Sequence, residues 1–335
     1  MKHAQGRRNF LKTAGAVTAG IMSGSQAAPS EASPPPSTPR VLRDLPTIDL
    51  GGTSVSRLVL GSNAIGGYAH FNNTLGALMK EYFTEDNLYQ LLVRAHEEGI
   101  NFLQGHYDAT IARAVMRLRE AGGTMHWMFI VNKYPEGSGP YRMSLLNPEI
   151  REAIKTVKPI ALIHHGAQGD DLYMKSTQDF EVVNDVLNEI ADMGIVPGMS
   201  THHPETIEYV EDKGWDCRFY MGCFYHGHTT KGANYQRWNE RLGWKNDLGI
   251  TPVGELYYAE QPVKVCKVLR STSKPCFGYK ILAAGRICDN QSQVEDCYKF
   301  AFQNLKPNDG IIVGMFPKFE DHVKQGADYT RKHGV

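Results

Sequence analysis

From Val41 to the C-terminus, short dense apolar runs alternate with longer segments whose apolar positions recur every three or four residues. The short runs read as strands buried on both faces: Arg57–Gly61, Ile100–Gln104, Trp127–Asn132, Ile160–His164, Ile195–Ser200, Phe219–Phe224, Cys276–Ile281 and Gly310–Gly314. The segments between them read as amphipathic helices: Thr84–Glu98 with Thr84 as its N-cap, Ala109–Ala121, Pro148–Val157, Asp179–Met193, Pro204–Lys213, Gln261–Ser271 and Ser292–Asn304. Eight strands alternating with helices predict an α/β fold, a single (β/α)8 TIM-type barrel. A doubly wound sheet would place a G-x-G-x-x-G turn after its first strand. Gly66-Gly67 lacks both that spacing and the helix that should follow. Between strands six and seven, Tyr225–Glu260 forms a long insertion rich in aromatics and histidine. Insertions of this kind on barrels commonly serve as lids.

The first forty residues do not share this pattern. Residues 1–28 run from Arg7-Arg8-Asn9-Phe10-Leu11-Lys12 through a mildly apolar Gly/Ala-rich stretch to small residues at Ser25-Gln26-Ala27. They resemble a twin-arginine export signal, which implies export in the folded state to the periplasm or another extracytoplasmic space. Residues 29–40 are a Pro/Ser-rich tether, and residues 41–335 form the barrel domain.

Charge then changes the picture slightly. The whole chain balances 36 basic against 36 acidic side chains, but without residues 1–28 it holds 32 against 36, a net of −4. This gives no electrostatic reason to bind nucleic acid. No run approaches the ~20 apolar residues of a spanning helix, so no integral membrane domain is expected. The six cysteines contain no C-x-x-C and suit the role of small buried residues, with a Cys288–Cys297 pairing left open.

Histidine placement is the main chemical signal. His106, His164, His165, His202, His203, His226 and His228 lie at or just past predicted strand ends, which a barrel gathers on one face. Adjacent histidines on a strand point to opposite sides, so only one of each pair can enter the mouth. A set of His106, His164, His202 and His226 could hold a divalent transition metal, with Asp108, Asp170, Glu205 and Glu255 as acids near the rim. The same imidazoles could instead bind or protonate a polar substrate without metal. Lys280, closing strand seven, is a candidate for a substrate oxyanion or a cofactor phosphate.

Several segments resemble the aldo/keto reductase family: Ile48-Asp49-Leu50-Gly51-Gly52-Thr53 through Gly61, Glu98-Gly99-Ile100-Asn101-Phe102, Lys280 to Arg286, and Gly310 to Met315. The resemblance implies a first hairpin before the barrel and NADP as cofactor. It places Lys133 and His164 at the family's catalytic lysine and histidine, and Ser200 at a cofactor-binding position. The family's aspartate and tyrosine are replaced, with Gln104 and Ala109 in their places. Gln104 cannot neutralise Lys133, and no tyrosine stands ready to give its proton.

These features define three expectations. The first is a rebuilt, His-rich site performing metal-assisted lyase, isomerase or hydrolase chemistry on a carbonyl or sugar-like small molecule, with Lys133, His164 and His106 as catalytic groups. The second is NADP-dependent oxidoreduction with His106 or His164 as proton donor and Ser200 and Lys280 at the cofactor. The third is a non-catalytic barrel that binds a small ligand.

Overall fold

The computed structural model describes residues 39–131, 145, 147–226 and 257–335. An antiparallel hairpin comes first, β1 (Thr47–Leu50) with β2 (Thr53–Ser56). Eight parallel strands follow: β3 (Leu58–Gly61), β4 (Phe102–His106), β5 (His126–Val131), β6 (Ala161–His164), β7 (Val196–Thr201), β8 (Phe219–Cys223), β9 (Cys276–Tyr279) and β10 (Gly310–Gly314). Each pairs with the next, and β10 pairs with β3, so the sheet closes. The predicted (β/α)8 barrel is therefore the observed fold.

The described helices are α1 (Asn73–Tyr82), α2 (Glu85–Glu97), α3 (Ala109–Glu120), α4 (Pro148–Val157), α5 (Gly166–Lys175), α6 (Thr177–Phe180), α7 (Val182–Asp192), α8 (Glu205–Lys213), α9 (Gln261–Ser271), α10 (Gln291–Asn304) and α11 (His322–His333). Thr84 caps α2 as expected, accepting from the Asn87 amide at 3.2 Å. The expected Asp179–Met193 helix is two helices, and α5 before it has no counterpart in the prediction. α1 and α11 are further helices that the periodicity did not reveal. α11 buries only Val323, Gly326, Ala327 and Thr330, a face too small and polar to stand out.

Strand alternation sorts the core into two layers. Val59, Phe102, Met128, Ala161, Ile163, Phe219, Met221, Phe277 and Ile312 fill the barrel interior with Ile48, Leu50 and Val55 of the hairpin. Their neighbours of opposite parity, such as Leu60, Leu103, Phe129, Leu162, Met199 and Val313, pack beneath the helices. The interior is tight enough that a Cβ on Gly198 would lie 2.3 Å from the Phe219 ring. β4 begins two residues later than its prediction because Asn101 belongs to the hairpin contact. Its side chain accepts from the Ser56 amide at 2.8 Å and donates to Ser54 O at 3.1 Å. β4 also ends two residues later than predicted, at His106.

At the opposite end, Arg57 locks the C-terminus. It donates to Asp309 O, Gly334 O and Lys306 O at 2.7, 2.7 and 3.0 Å, and its guanidinium stacks on Phe302. Among the described residues, no helix is long and apolar enough to cross a membrane, and no disulfide forms.

Candidate active site at the barrel mouth

The C-terminal strand ends present interior-facing positions from several strands, and parity decides which side chains reach them. Gln104 and His106 continue the inward row of Phe102, His165 continues that of Ile163, and Ser200 and His202 continue that of Gly198. Tyr279 completes the wall from β9.

This row corrects the expectation for His164. Its register partners Val131 and Met199 belong to the outer layer, and its imidazole is fully buried against Gly169 of α5. Burial, reinforced by the neighbouring His165, pushes its pKa down to about 3, so it is a neutral core side chain rather than a rim ligand. His165 is the member of the pair that turns to the mouth. Its ring meets that of His106 edge to face at 5.5 Å. Burial and the nearby His202 lower its pKa to about 4.

The best-defined arrangement joins α5 to β7. Asp170, one turn into α5, accepts from Thr201 Oγ1 at 2.6 Å with Oδ1, while Oδ2 faces the His202 amide at 2.9 Å and His202 Nδ1 at 2.7 Å. Burial pushes the Asp170 carboxyl up, but the bonds from His202 and Thr201 outweigh it and hold the group below the usual carboxylate range. A carboxylate at Nδ1 assigns the proton there and leaves the lone pair on Nε2. Tyr279 supports the same strand end. Its hydroxyl donates to Thr201 O at 3.1 Å, and its ring meets His202 at 5.7 Å, edge to face.

The approach of α5 is close. A Cβ on Gly166 would sit 2.9 Å from Ser200 Oγ and 3.2 Å from the Ser200 carbonyl carbon, so only glycine lets the helix start against β7. Ser200, expected at a cofactor, is buried, with its Oγ 3.5 Å from the Tyr279 hydroxyl.

His203 and His226 form a second pair on the outer side. Their rings are 5.3 Å apart, and His203 Nδ1 lies 3.4 Å from Glu205. Burial, with His203 close by, lowers the His226 pKa to about 4. Gln261 holds the His226 backbone at both ends, accepting from its amide at 3.3 Å and donating to its carbonyl at 2.9 Å. Asp108, expected near the rim as an acid, caps α3 by accepting from the Thr110 and Ile111 amides.

The described residues give the metal expectation no support. Among the described residues, no group of three or more His, Cys, Asp or Glu side chains is arranged to hold a metal ion. Of the four histidines expected to act together, His164 lies in the outer layer and His226 packs on His203 on the outer side, away from the row of His106 and His202. Lys133, Glu255, His228 and the insertion aromatics Tyr235, Trp238 and Trp244 lie outside the described residues, as does the 1–28 segment.

Lys280 stands on the rim in a left-handed conformation, with φ +58°. Its Nζ lies 5.6 Å from the Tyr257 ring centre, and the Arg286 guanidinium lies 4.4 Å from the same ring. Arg286 also donates to His70 O at 3.0 Å, tying together the turns that follow β3 and β9. Sequence reasoning named Lys280, Asp170 and both members of each histidine pair. It missed Tyr279 and Gln261, whose types carry no distinctive spacing.

No family model and no curated relative matches the chain. Solved structures do. An aldo/keto reductase from Brucella melitensis is 9% identical over 87% of this chain and 93% of its own, with a TM-score of 0.47. An aldo/keto reductase from Klebsiella pneumoniae, in complex with NADP and acetate, is 14% identical over 85% and 90%, with a TM-score of 0.43. A truncated 3-deoxy-D-arabino-heptulosonate 7-phosphate synthase from Thermotoga maritima is 13% identical over 87% and 90%, with a TM-score of 0.46. The likeness is one of barrel fold, with aldo/keto reductases among the proteins to which this chain is similar.

Proposed function

We propose that the barrel mouth is an active site for carbonyl chemistry on a small carbonyl or sugar-like molecule, with His202 as the proton-transfer group. The observation that carries this is the Asp170–His202 pair. A buried carboxylate holds one ring nitrogen, so the other is presented in a single tautomer and orientation. In the reductive direction Nε2 first takes up a proton from solvent, and the resulting imidazolium, paired with the Asp170 carboxylate, gives that proton to the carbonyl oxygen. His106 and His165 line the same mouth, and the low pKa of His165 makes it a neutral hydrogen-bonding partner for a polar substrate.

NADP-linked oxidoreduction is the reaction class we favour. The supporting feature is the rim, where Lys280 and Arg286 converge on one aromatic ring and would hold phosphate groups of the cofactor. NADPH, when bound, supplies the hydride. Export through residues 1–28 remains part of the proposal as read from the sequence.

Two measurements test this reading together. Titration of the full chain with NADPH should change cofactor fluorescence, and Lys280→Ala should weaken that binding. NADPH oxidation with a panel of small aldehydes, ketones and ketoses should be abolished by His202→Asn with binding retained. Absence of NADPH binding refutes the redox class. If, in addition, no proton exchange occurs at carbons adjacent to the panel's carbonyls, the catalytic role of His202 is refuted as well.

A further inference from the structure

A second concavity lies on the barrel's flank, between the ends of β8 and β9 and helix α10. It is an open hollow of about 280 Å³ and does not share the mouth's histidines. Phe224, Tyr225, Ile281, Ile287 and Phe300 form its apolar walls. Phe224 belongs to the outer core layer, so the concavity opens outside the barrel wall rather than into the mouth. α10 contributes Gln293, Asp296, Cys297 and Phe300, a spacing of three and four residues that sets them on one helix face.

Three observations point to one ligand chemistry. Asp296, an exposed residue, is the only charged side chain among the described lining. Three of the walls are aromatic. Phe224 meets Phe300 edge to face at 6.4 Å, and Tyr225 packs on Tyr257 at 5.7 Å, so each ring has an aromatic neighbour. An aromatic and aliphatic wall beside one carboxylate favours a cation with apolar substituents, because the acid pairs with the charge and the wall covers the apolar body. The volume suits a ligand with a single ring or a short chain. We propose that this flank cavity binds a small organic ammonium ion with an aromatic or alkyl body, Asp296 receiving the ammonium group.

The full chain, labelled at isoleucine methyl groups, is titrated with phenethylammonium and followed by NMR. The Ile281 and Ile287 methyl resonances should shift in a saturable manner. Asp296→Asn, a change at an exposed position, should weaken binding at least fivefold, and neutral phenethyl alcohol should bind at least fivefold more weakly than the amine. Unmoved Ile281 and Ile287 resonances overturn the proposal. So does a smaller effect in either comparison, which would leave only a non-specific apolar hollow.

Discussion

Asp170 Oδ2 lies 2.9 Å from the backbone nitrogen of His202 and 2.7 Å from its Nδ1, so one carboxylate oxygen positions both the strand end and the ring. The other oxygen holds Thr201, so α5 is tied to the last residue of β7 and to the residue that follows it. The orientation of the proposed proton-transfer group is thus set by a residue 32 positions earlier in the chain.

Asp170→Asn tests that dependence without any substrate. The amide can accept at only one terminal atom, whereas Asp170 accepts at both. The 15N resonances of His202 should show loss of the single Nδ1–H tautomer. Losing charge-assisted bonds should cost about 1.5–3 kcal/mol in chemical denaturation. An unchanged His202 spectrum would mean that Asp170 does not set the tautomer.

Three histidines are kept neutral by burial, and this gives a pH dependence. His164, His165 and His226 bind protons in the native state only near pH 3 to 4, whereas the unfolded chain binds them at about 6.5. Their contribution is therefore fully present above about pH 6.5 and is lost as the pH falls toward 4. Each adds a slope of up to ~1.4 kcal/mol per pH unit. His164→Leu should make the loss of stability between pH 7 and 5 shallower by roughly one histidine's share. Urea midpoints at the two pH values measure this, and an unaltered slope would contradict a buried neutral His164.

Arg57→Ala should be severely destabilising although it is remote from the mouth. It removes the bonds to Asp309 O, Gly334 O and Lys306 O, of which Lys306 O keeps the Asp309 amide, and it removes the stack on Phe302. A loss of at least about 3 kcal/mol is expected in urea unfolding. A loss below 1 kcal/mol would show that the C-terminal segment is anchored by other contacts.

Gly166→Ala places a methyl group 2.9 Å from Ser200 Oγ and 3.2 Å from the Ser200 backbone. The helix start must move away from β7, at about 1–3 kcal/mol, and Asp170 moves with it. Melting temperature and the His202 resonances should therefore change together. A stable protein with an unperturbed His202 would show that the helix can yield without disturbing the pair.

Much of this architecture was legible in the chain. Strands buried on both faces are dense apolar runs, and the helices covering them carry an apolar stripe, so the eight units and their order were determined locally. Thr84 at the start of α2 and Pro148 at the start of α4 mark their helices by side-chain chemistry that acts within one turn. Helix α11 escaped because its buried face is made of Val, Gly, Ala and Thr.

The site divides differently. Histidines at strand ends were visible as a pattern, but whether His164 or His165 reaches the mouth depends on where β6 begins to alternate, and a shift of one residue exchanges the two. That choice is made by pairing with Val131 and Met199 on neighbouring strands, not by residues beside it in the chain. Asp170 was visible as an acid near the rim, but its bond to His202 exists only because α5 packs against β7 at Gly166. Sequence by itself determined the barrel, its element order and the supply of imidazoles, because those follow from short-range periodicity. Only tertiary structure decided which imidazoles meet and which carboxylate orients them, because register and helix packing are properties of pairs far apart in the chain.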